Sequence, residues 1–113
     1  MKTQNAIKVK ELQFEATKSS GKVSAILMLP KEARWLLVLA HGAGAGMRHV
    51  FMNQISTRLA EEGIATFRYQ FPYMEKNSKR PDPKSILLAT VRSAVLTAEK
   101  VSGGLPLHAG GKS

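Results

Sequence analysis

Trp35-Leu36-Leu37-Val38-Leu39-Ala40 is a continuous apolar run, and His41-Gly42-Ala43-Gly44-Ala45-Gly46 follows it without a break. Such a run suits a parallel strand covered on both faces, and the glycines behind it let the backbone turn tightly. Upstream, residues 7–14 and 23–29 read as two further strands joined by the turn Lys18-Ser19-Ser20-Gly21. The second alternates Val23, Ala25, Leu27 and Leu29 against Ser24, Ile26 and Met28. Downstream, Phe51, Ile55 and Leu59 recur at helical spacing, and Gly63 ends that helix. Residues 64–69 form the next strand, and Phe71-Pro72-Tyr73 opens an irregular loop. A second helix starts with Asp82 as cap and Pro83 at the first helical position. Leu87, Val91, Ala94, Ala98 and Val101 make its apolar face, and Gly103 closes it. Residues 105–109 are a short last strand. This order predicts an α/β fold with a mostly parallel sheet of about five strands and two main helices.

Composition narrows the classes. The chain has 113 residues, 43% hydrophobic and 22% charged, which is ordinary globular material and fits one small domain or part of a larger one. Without cysteine it can form neither disulfides nor thiolate metal sites, which agrees with a reducing cytoplasm. No apolar stretch has the length of a membrane span or the form of a secretory signal. No cluster of carboxylates and histidines has metal-ligand spacing, so neither metal nor other cofactor is expected. The net charge of +9 raises nucleic-acid binding, but the basic residues are scattered. The densest group, Lys76, Lys79 and Arg80, shares its loop with Glu75 and Asp82, so a solvated surface is favoured.

Three chemistries use glycine loops of this kind. A dinucleotide site needs G-x-G-x-x-G, whereas the glycines at 42, 44 and 46 leave Met47 in the last slot, and the next strand ends in Arg68-Tyr69-Gln70 without an acid for a ribose. A P-loop would match Gly111-Lys112-Ser113, but its first glycine falls on Pro106. The third is acyl transfer by a serine on a G-x-S-x-G elbow, and it uses both loops at once. Gly111 stands two places before Ser113, at the end of the chain. An elbow serine projects its hydroxyl above the sheet, and the oxyanion needs two backbone N–H donors. One donor follows the serine, and the loop after the third strand supplies the other. Ala43 is the candidate there, with His41, Gly42 and Gly44 shaping the loop.

Several blocks in order support this reading: His41 to Met47, Phe51-Met52, Gly63-Ile64-Ala65, Arg68, Phe71-Pro72-Tyr73-Met74, Arg80-Pro81 and Gly110-Gly111-Lys112-Ser113. Their run resembles a branch of the α/β-hydrolases, the dienelactone-hydrolase-like branch related to testis-expressed and non-specific-lethal-complex hydrolase-like proteins. The resemblance implies the α/β-hydrolase fold, with Ser113 as nucleophile and the acid and catalytic histidine later in the chain. Val50 departs from the proline expected near it, which touches only the start of a helix. On this basis residues 1–113 are expected to be the N-terminal half of one hydrolase domain, cut at the elbow. The complete parent would act on a small ester-like substrate. The chain alone is expected to be inactive, with its last strand an open edge that invites self-association or a C-terminal partner chain. The alternative is a non-catalytic hydrolase-like scaffold or interaction module. Arg48, Arg68 and Tyr73 fall on the expected active-site side, with surface or loop packing as their plainer roles. Met28, Met47, Met52 and Met74 read as packing residues.

Overall fold

The computed structural model describes residues 7–42 and 46–111. Five strands form one sheet: β1 (Ile7–Thr17), β2 (Gly21–Pro30), β3 (Trp35–Ala40), β4 (Ile64–Tyr69) and β5 (Leu107–Gly111). Their spatial order is β1-β2-β4-β3-β5. β1 pairs antiparallel with β2, and β2 antiparallel with β4. β3 lies parallel to both β4 and β5. The helices are α1 (Val50–Glu61), a single turn α2 (Pro72–Glu75) and α3 (Lys84–Val101).

Side chains alternate across a strand, so each strand feeds two layers. On one face Val23, Ala25, Leu27, Leu36, Val38, Ala65, Phe67 and Tyr69 form the main core. Ala94 and Ala98 of α3 join it, and their small size lets the helix sit close to the sheet. Ser93 Oγ donates to the Ala16 carbonyl at 2.8 Å and fixes α3 against β1. The other face carries Met28, Leu39, Thr66 and Arg68, and α1 packs there against β4 and β2.

The structure shifts some expected details. The face of α1 turned to the sheet is Met52, Ser56 and Ala60. Phe51 is 42% exposed, so the expected 51-55-59 stripe lies one residue off the centre of contact. Tertiary packing turns Met52 inward as the anchor, with the small Ser56 and Ala60 letting the following turns approach the sheet. The segment at Phe71 opens a helical turn, with Pro72 at its first position, and not an irregular loop. Asp82 does not cap α3; its carboxylate accepts the Tyr73 N–H of α2 at 2.9 Å, and Pro83 is the N-cap residue. β5 begins two residues later than expected, because Gly103 and Gly104 both take positive φ and Leu105 N–H closes a turn onto Ser102 O. Gly21 and Gly63 do adopt the left-handed conformation that their turns require.

Candidate active site

The parallel pairing of β3 with β5 puts Ala40 opposite Gly111. Both strands therefore leave the sheet at the same end, β3 into His41-Gly42 and β5 toward Ser113. A Cβ on Gly111 would lie 3.1 Å from Ala40 Cβ and 3.2 Å from its carbonyl oxygen. Close approach of the two strand ends thus explains why glycine stands there. Ala43, Gly44 and Ser113 lie outside the described residues.

His41 is 4% exposed. Its Nε2 accepts the Phe71 N–H at 3.1 Å, and its Nδ1 is 2.8 Å from the Gly42 carbonyl. Those partners assign the Nδ1–H tautomer. The ring also meets Phe71 and Tyr73 edge-on, at centroid distances of 5.0 and 5.9 Å. It therefore ties the end of β3 to the start of α2. His49 caps α1, its Nδ1 accepting from Phe51 N–H at 3.2 Å. His108 projects from a sheet face at β5, where its ring is 4.6 Å from Trp35.

The far end of the glycine loop is held as firmly. Gln70 Oε1 accepts the Met47 N–H at 3.0 Å. A Cβ on Gly46 would sit 2.5 Å from that same oxygen and 3.0 Å from Met74 Cγ. Gly46 is small, then, because Gln70 occupies the space. No sequence pattern points to Gln70; the parallel pairing of β4 with β3, with Tyr69 opposite Ala40, brings it to the loop.

Arg68 is 2% exposed. Its Nη atoms donate to Met47 O at 3.3 Å and to Asn53 Oδ1 at 3.0 Å, linking the loop exit to α1. Burial lowers its pKa, and Arg48 lowers it further. Among the described residues no carboxylate pairs with it. Arg48 itself is exposed and pairs with Glu11 at 3.0 Å. Burial raises the Tyr73 phenol, with Asp82 adding to the rise. Glu75 of α2 binds Ser24 of β2 through both its backbone N–H and its hydroxyl, at 3.0 and 2.8 Å. Loop, α2 and sheet are thus knitted together around the end of β3.

Residues 33–113 match the family model described as alpha/beta hydrolase domain. The chain belongs to the α/β-hydrolase family. Solved structures agree on the fold. A cold-adapted esterase from an Arctic intertidal metagenomic library superposes with a TM-score of 0.73 at 15% identity, over 97% of this chain and 52% of its own. Est1E from Butyrivibrio proteoclasticus gives 0.73 at 20% identity, over 91% of this chain and 40% of its own. A dienelactone hydrolase from Anabaena variabilis gives 0.76 at 18% identity, over 95% and 52%. This hydrolase chain thus spans about half the length, or less, of these structures. No curated protein matches its sequence. Among the described residues no helix is long and apolar enough to cross a membrane.

Proposed function

We propose that this chain supplies the nucleophile and the oxyanion loop of a serine hydrolase that cleaves ester or lactone bonds in small molecules. The observation that carries the reading is the β3–β5 pairing, which brings the end of β3 beside the strand that leads to Ser113. In this reading Ser113 Oγ attacks the substrate carbonyl carbon while a histidine later in the parent chain takes its proton. The carbonyl oxygen becomes an oxyanion, held by the Ala43 N–H and by the N–H of the residue after the serine. Loss of the alcohol leaves an acyl-serine, which water then hydrolyses. His41 positions the loop and is not the base, since its Nε2 lone pair is taken by Phe71 N–H.

The same proposal makes residues 1–113 the N-terminal half of one domain, in the dienelactone-hydrolase-like branch, with the cytoplasm as its location. It also makes these residues inactive alone. His49 is engaged at a helix start and His108 lies against Trp35, so neither is offered as a substitute base. A fluorophosphonate probe tests this. The complete parent should be labelled at Ser113, and neither its Ser113→Ala variant nor the 113-residue chain should react. A parent that resists labelling although Ser113 is solvent-accessible, or a short chain that labels as fast as the parent, would reject the assignment.

One observation favours a second, interaction-based reading. β5 pairs only with β3 among the described residues, and its five residues carry no acid, lysine or arginine. β1, the other edge, displays Lys8, Lys10, Glu11 and Glu15. Charged edges resist pairing with other chains, and uncharged ones invite it.

A further inference from the structure

A concavity lies at the opposite end of the sheet from the glycine loop. Its volume is about 550 Å³, within the range of small-molecule sites. Leu29, Pro30, Ala33 and Leu105 supply apolar walls, and Lys8 and Lys31 supply two cations. Ala33 precedes β3 and Leu105 precedes β5, so the cavity opens where the parallel strands begin.

The pairing explains how it forms. Lys8 stands opposite Leu29, on the face covered by α3. Further along that face of β1, Phe14 and Ala16 are buried, while Lys8 is exposed. α3 ends at Val101, and Gly103 and Gly104 turn the chain away with positive φ. The sheet surface beside Lys8 is thereby left open, floored by aliphatic side chains. Lysine stems can lie along such a floor while their ammonium groups reach the rim.

We propose that this cavity binds a medium-chain carboxylate, its alkyl chain against Leu29, Ala33 and Leu105 and its head between Lys8 and Lys31. Charge complementarity selects the anion: no acidic residue lines the cavity. No hydrogen bond or ion pair engages either ammonium group among the described residues. The negative end of α3 opposes an anion, yet it is partly neutralised. Ser102 Oγ donates to Glu99 O at 3.0 Å, and Leu105 N–H bonds Ser102 O. An alkyl chain contributes through apolar burial, which neither lysine could supply.

Amide chemical shifts of the 113-residue chain, followed during titration with decanoate, test the site. Decanoate should move the resonances of Leu29, Ala33 and Leu105. Decanol, with the same tail and no charge, should bind more weakly by about threefold to tenfold, and acetate, with the head alone, by more than about tenfold. The double variant Lys8→Glu, Lys31→Glu changes only exposed side chains. It should keep the circular dichroism of the parent chain and lose decanoate affinity by about tenfold. Equal binding of decanol and decanoate, unchanged affinity in the double variant, or shifts confined to other surfaces would overturn the proposal. So would capture by anionic lipid vesicles without any binding of free decanoate.

Discussion

At the scale of single residues, the glycine loop is anchored at both ends by side chains that take backbone N–H groups. His41 receives Phe71 N–H and Gln70 receives Met47 N–H. Removing an acceptor from a buried donor leaves that donor unsatisfied, which costs about 1–3 kcal/mol. His41→Ala should therefore lower stability by about 2 kcal/mol in chemical denaturation, with Gln70→Ala costing somewhat less because its site is only partly buried. Gly46→Ala should cost about 1–2 kcal/mol, since the new methyl displaces Gln70 Oε1 and breaks its bond to Met47. Tyr69 belongs to the same scale. Burial pushes its phenol up to about 12 from an ordinary 10. The folded state then holds a proton that the unfolded state releases. That contribution is complete below pH 10 and is lost as pH rises toward 12. Stability measured across this window should fall more gently in Tyr69→Phe, by about 2–3 kcal/mol at the alkaline end.

At the scale of elements, α1 separates what sequence can say from what packing decides. Periodicity places the helix, and Gly63 ends it in the left-handed conformation the pattern demands. Which face turns inward is a different question. Phe51, Ile55 and Leu59 are larger than Met52, Ser56 and Ala60, yet the second set faces the sheet. Close approach to β4 and β2 favours the small Ser56 and Ala60 beside a buried Met52, and no local propensity encodes that. Met52→Ala should cost about 2–4 kcal/mol, whereas Phe51→Ala should cost clearly less, as judged by parallel denaturation curves. The strands are more legible: β3 follows directly from its apolar run, and β4 from the segment after Gly63. The start of α3 is less so. Asp82 has the chemistry of a cap, but the open N–H of Tyr73 competes for its carboxylate through tertiary contact. The candidate site divides in the same way. His41 and the glycines stand out in the sequence, while Gln70 and the burial of Arg68 emerge only when β4 is set between β2 and β3.

At the scale of the whole molecule, two edges of one sheet differ in kind. β1 is charged and β5 is bare. If β5 is a pairing edge, sedimentation of the 113-residue chain should show association that rises with concentration, and Ala109→Lys should reduce it. A monodisperse protein at high concentration would remove that expectation. The functional proposal depends on a narrower fact, the parallel alignment of β5 along β3. Nuclear Overhauser contacts across those strands measure it directly. Contacts joining Ala40 to Gly111 and Leu39 to Gly110, in parallel register, are the expected result. An antiparallel pattern, or a β5 paired along another strand, would carry Ser113 away from the glycine loop and rule out its role as nucleophile there.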